Sequence, residues 1–130
     1  MQYGYICANI ILNKTIMGDY AKTINIVDLD GVLNTYCGIY NPNVIPPIRN
    51  GAKEFIIKLA QNYNLKLFTN RNSELAKKWL KENDIDQYFL GVTNNKGPAF
   101  IYIDDRALTF NGNFEETLLK IYTFKPFWKK

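Results

Sequence analysis

Ile24-Asn25-Ile26-Val27-Asp28-Leu29-Asp30-Gly31-Val32 is the stretch that decides how this chain is read. It is an apolar strand that ends by presenting two carboxylates two residues apart, with a glycine directly behind them. Alternate residues of an extended chain point the same way, so Asp28 and Asp30 leave the strand tip on one side and Leu29 on the other. Two adjacent carboxylates repel. A divalent cation relieves that repulsion and turns one of them into a usable nucleophile beside a bound phosphate. Taken alone, Asp-x-Asp-Gly is an ordinary turn sequence, so the remaining chain has to decide.

At 130 residues the chain is one domain, large enough to bury roughly two thirds of its unfolded surface. There is no histidine. That excludes Ser-His-Asp and Cys-His nucleophile systems, histidine general bases and imidazole zinc sites. Any enzyme built from this sequence must work with carboxylates and lysine. The net charge is +4, although Asp28, Asp30, Asp104 and Asp105 concentrate acid in two clusters. If those clusters hold a cation, the remaining surface favours anionic ligands. Cys7 and Cys37 form no C-x-x-C pair, which fits free thiols, a reducing compartment and a cytoplasmic location. Residues 3–12 are apolar but too few to span a bilayer, and no basic residue precedes them as in a signal peptide, so no membrane partner is expected. Residues 1–22 read as an N-terminal extension or an extra edge strand, and residues 23–130 as the single folded domain.

From residue 24 onward strands and helices alternate. A Pro-bearing connection over residues 34–48 is long for a compact domain, and such loops are usually functional. Residues 49–62 read as a helix with Ala52, Phe55, Ile56, Leu59 and Ala60 on one stripe. Residues 65–69 form the second strand. A helix to about residue 83 follows, with Ser73 as its expected N-cap and Lys77, Lys78 and Lys81 towards its end. Short strands are expected near 89–92 and 100–103, then a last helix over 113–122 capped by Asn113. This order predicts an α/β fold, a parallel sheet with helices on both faces. Ligands of such sheets bind beyond the carboxyl ends of the strands, where Asp28, Thr69 and Asp104 all fall.

Metal-dependent phosphoryl transfer needs this set of groups. Asp28 would attack phosphorus to give an aspartyl-phosphate. Asp30 would protonate the leaving oxygen and then take a proton from water. A Mg²⁺ would be held by Asp28, the backbone carbonyl of Asp30, and Asp104. Thr69 and Lys96 would bind the non-bridging phosphoryl oxygens. In isolation Thr69 reads as a strand-favouring residue and Lys96 as a solvated loop lysine. Asp104-Asp105 after Ile101-Tyr102-Ile103 is harder to dismiss, since buried acids without a partner are costly. The four elements in this order carry the weight.

These residues resemble the four motifs of the haloacid dehalogenase-like (HAD) hydrolase superfamily. The motifs correspond to Val27-Asp28-Leu29-Asp30-Gly31-Val32, Leu67-Phe68-Thr69-Asn70, Lys96, and Tyr102-Ile103-Asp104-Asp105, and the resemblance spans about residues 22 to 127. It implies a Rossmann-like core with Asp28 as nucleophile, Asp30 as acid and base, and Mg²⁺ among Asp28, Asp30, Asp104 and Asp105. Thr69, Asn70, Arg71 and Lys96 become the expected substrate contacts, and Asp105 a support for the metal or for Lys96. An acid at Asp30 is typical of the family's phosphatases and phosphotransferases, not its dehalogenases. Neither gap between motifs holds a cap domain, so the chain resembles the capless members, whose open sites take large substrates or are closed by a neighbouring subunit. The implied function is hydrolysis of a phosphomonoester: a small molecule, a nucleotide or a polynucleotide end. Transfer to another acceptor, or a non-catalytic module that keeps the fold, are the alternatives. Arg71 and Arg106 either bind a second anionic group or pair with the acids. Tyr36 and Tyr40 either stack on a base or sugar or pack on the fold. The tail from Lys125 to Lys130 reads as a docking surface or an anchored C-terminus.

Overall fold

The computed structural model describes residues 22–130. The expected N-terminal extension or edge strand lies outside the described residues.

Largely apolar runs form the strands, β-branched in β1 and leucine-rich in β2, and amphipathic stretches the helices. β1 (Ile24–Asp28) runs into a single wide turn over Leu29–Leu33. After the long loop come α1 (Ala52–Ala60), β2 (Asn64–Phe68) and α2 (Ser73–Glu82). A short turn at Asp86–Tyr88 leads to β3 (Phe89–Thr93), followed by β4 (Ile101–Ile103) and α3 (Phe114–Tyr122). The four strands make one sheet in the order β3-β2-β1-β4, every pairing parallel. The α/β expectation therefore holds.

Val27, Leu65 and Leu67 of the sheet are fully buried with Ile56 of α1 and Ala76 of α2, and Leu29, Leu33, Ala52, Trp79, Leu80 and Ile85 complete that core. Burial on this scale, at about 25 cal/mol per Å² of apolar surface, is the main term holding the sheet and these two helices together. The helix stripe expected around α1 is correct at Ala52 and Ile56, whereas Phe55 is 41% exposed. Gly51, with φ of 85°, starts α1 three residues later than the periodicity predicts. One cap also differs. Asn72, not Ser73, caps α2, accepting from Leu75 N at 3.1 Å. Asn113 caps α3 as expected, accepting from Glu116 N at 3.0 Å.

The outer part of the fold is less covered. Phe114, Leu118, Leu119 and Tyr122 of α3 are exposed. Asn25, the second residue of β1, is buried with neither its Nδ2 nor its Oδ1 bonded among the described residues. No helix among the described residues is long and apolar enough to cross a membrane.

Candidate functional site

Parallel register decides what meets at the sheet's edge. Asp28 is the last residue of β1, aligned with Phe68, and Val27 aligns with Ile103. Thr69 and Asp104 are each the next residue of their chains, so both arrive beside Asp28. Carboxylate oxygens of Asp28, Asp104 and Asp105 lie within 4.8 Å of one another. A cavity of about 360 Å³ opens over them, with Thr69, Lys96 and the mouth residues Tyr36, Tyr40 and Arg106 in its wall.

Burial and neighbouring charges show in the protonation of the acids. Burial, a hydrogen bond shared with Asp105, and the charges of Asp104 and Asp105 push Asp28 up to about 8, against an opposing pull from Lys96. Asp104 is also raised by burial. Its bonds to the Lys96 ammonium and to Arg106 N–H outweigh that and hold it below the ordinary carboxylate range. Three partly buried carboxylates with all-oxygen chemistry are a donor set for a hard divalent cation. A cation would offset the burial and the repulsion that together keep Asp28 protonated.

Asp30 belongs to a different network. Its carboxylate lines the same cavity but is not one of the clustered trio, and it is held by Arg71 Nε at 2.9 and 3.2 Å and by Asn34 Nδ2 at 3.0 Å. Only its backbone carbonyl remains as the cation ligand expected of it. The Arg71 side chain is 1% exposed, and it also donates to the Asn41 and Val44 carbonyls at 2.7 and 3.2 Å. Of the two expectations for Arg71, pairing with an acid is the one observed. Its guanidinium ties Asp30 to the 34–48 loop, while Tyr40 stacks over it at 4.6 Å.

Thr69 is buried, and its Oγ1 accepts from Arg71 N at 3.1 Å, which leaves the hydroxyl proton available. Asn70 is exposed at the cavity wall. Lys96 is ion-paired with Asp104 and lies 4.6 Å over the Phe68 ring. Arg106 sits against Tyr36 and Trp128, at 5.8 and 5.5 Å, not in an ion pair with the acids.

Sequence reasoning missed Asn34. Fully buried, it accepts from Gly31 N and Tyr36 N at 3.1 and 3.0 Å while donating to Asp30, so one side chain shapes the whole turn behind the acids. Its spacing four residues after Asp30 was the available signal. Gly31 is required twice. Its φ is +83°, and a Cβ there would run into the Asp105 carboxylate and come within 2.7 Å of Trp128 Nε1.

No protein-family model, curated protein or solved structure matches the chain.

Proposed function

We propose that this chain is a Mg²⁺-dependent phosphomonoester hydrolase, a capless member of the HAD-like superfamily with its Rossmann-like core and helices on both sheet faces. The observation that carries this reading is the meeting of Asp28, Asp104, Asp105, Thr69 and Lys96 at one cavity beyond the carboxyl ends of parallel strands. Between β1 and α1 there is only a turn and a loop, and between β2 and Lys96 one helix, one turn and one strand, so no inserted domain covers the cavity.

The Asp28 carboxylate attacks phosphorus while the bond from phosphorus to the ester oxygen breaks, and Asp30 delivers a proton to that oxygen. Asp28 then carries the phosphoryl group. Water attacks it as Asp30 takes a proton back, and inorganic phosphate leaves with the Asp28 carboxylate restored. Lys96 and the Thr69 hydroxyl hold the non-bridging oxygens throughout. Mg²⁺ among Asp28, Asp104, Asp105 and the Asp30 carbonyl would supply neutralising charge between an anionic nucleophile and an anionic ester. Arg71 and Asn34 orient Asp30 for its two proton transfers. The open cavity suits a nucleotide, a sugar phosphate or a polynucleotide end, and a second copy of the chain would exclude water from it. The free, exposed thiol of Cys37 fits a reducing compartment, and we assign the protein to the cytoplasm.

The test is a panel of phosphomonoesters, including a generic aryl phosphate, assayed with and without Mg²⁺. Release of inorganic phosphate should require the metal and vanish in Asp28→Asn. Inactivity of the wild-type protein across the panel would overturn the proposal, and phosphoryl delivery to an added alcohol instead of water would make it a transferase.

A further inference from the structure

Chain ends rich in lysine and aromatics ordinarily fray unless something ties them down. Here three contacts fix the last residues. Lys129 N closes a turn on the Pro126 carbonyl at 3.0 Å. The Phe127 ring lies 4.9 Å under the Arg49 guanidinium, and Arg49 in turn donates to the Asn34 carbonyl at 3.1 Å. Trp128 meets Tyr36 edge-on at 5.4 Å and packs where Gly38 has no side chain.

Those contacts anchor the tail without explaining where the indole N–H points. Trp128 Nε1 donates to Asp105 Oδ2 at 2.5 Å. An indole has a single donor and no charge. It can therefore satisfy one lone pair of Asp105 and fix the carboxylate's rotation, yet leave the full negative charge for a cation. A lysine or arginine in the same place would compete with that cation. The absence of a Cβ at Gly31 leaves room for both partners in this contact.

We propose that Trp128 is a positioning residue for the cation site, its indole N–H holding the Asp105 carboxylate in the acidic cluster from the far end of the chain. This rests on the metal-dependent reading above. Outer partners of metal-binding carboxylates typically change affinity by about 10- to 100-fold when removed.

Calorimetric titration of the full chain with Mg²⁺ tests it, using Trp128→Phe, which keeps a ring against Tyr36 but loses the donor, and Phe127→Ala, which loosens the anchor and keeps the indole. Trp128→Phe should bind Mg²⁺ about tenfold more weakly, and Phe127→Ala as wild type does. In ¹H–¹⁵N spectra the Trp128 indole resonance should move on Mg²⁺ saturation while that of Trp79 stays in place. Wild-type affinity in Trp128→Phe, equal losses in both variants, or a Trp128 resonance blind to Mg²⁺ each overturn the inference and leave the phosphatase reading standing. A wild-type protein that takes no Mg²⁺ overturns both.

Discussion

Asp28 carries the largest of the pH responses of the fold. Unfolded, its carboxyl titrates near the ordinary 3.8, and in the fold near 8. Between those values the native state holds a proton that the unfolded chain has released. Its contribution to stability is therefore complete below the lower value and is lost as pH rises towards the upper one. Asp104 works in the other direction and in another window. Lying below its usual range, it stabilises the fold above that range and loses the effect only as pH falls into acid. Thermal melts in a chelator should thus show the wild-type midpoint falling from about pH 4 to about pH 8 relative to Asp28→Asn, in which the titrating group is gone. Mg²⁺ should reverse the fall by displacing the proton. Parallel wild-type and Asp28→Asn curves across that range would show that the fold does not raise the Asp28 carboxyl. The pair at Asp28 and Asp104 was legible in the sequence because each ends a short apolar run. The partner of each acid was not: Asp30 finds Arg71 41 residues away, and Asp105 finds Trp128 23 residues away.

Elements are where local pattern is most informative, and where it fails by single residues. The alternation of strands and helices follows from period and polarity alone, and all four strands appear within a residue or two of their expected places. Boundaries depend on backbone angles that composition does not specify. Asn72 and Ser73 are both good capping residues. Asn72 is the one outside the helical region, with ψ of 126° and its side chain on Leu75 N, while Ser73 is already helical. Asn72→Ala should therefore lower stability by about 1 kcal/mol, whereas Ser73→Ala should be close to neutral. Urea midpoints at constant slope would measure both. Equal effects would mean that the cap is shared. Asn25 escaped the sequence reading altogether, since a polar residue inside an apolar run gives no sign of its burial without a partner, and nothing in the structure explains it.

Across the whole molecule, the 34–48 loop gives Tyr36 and Tyr40 to the cavity wall, and three distant parts of the chain hold it down. Its base is closed by Thr35 N on the Pro47 carbonyl at 2.9 Å and Arg49 N on the Leu33 carbonyl at 2.8 Å. From α2, Trp79 Nε1 donates to the Pro46 carbonyl at 3.1 Å. Trp128 holds Tyr36, and Arg71 binds the Asn41 and Val44 carbonyls. Loop length alone marked this segment as functional, but hydrogen bonds to carbonyls leave no trace in the residue types that accept them. Arg71 is the member that couples the loop to Asp30, because the same guanidinium holds both. Replacing it with methionine leaves Asp30 without its counter-charge and the loop without its central tie. Removing one partner of a buried ion pair costs about 3–5 kcal/mol, with the lower end apt here because Asp30 is partly open to solvent. Arg71→Lys keeps the charge but not the fork that reaches the acid and two carbonyls at once, so it should recover stability more than activity. In hydrogen exchange, Arg71→Met should speed the amides of residues 36–45 and leave β1 and β2 protected, since core burial does not pass through the loop. Loop amides that exchange no faster than in the wild type would show that Trp79, Trp128 and the closed base suffice to hold the loop, leaving Arg71 to Asp30 alone.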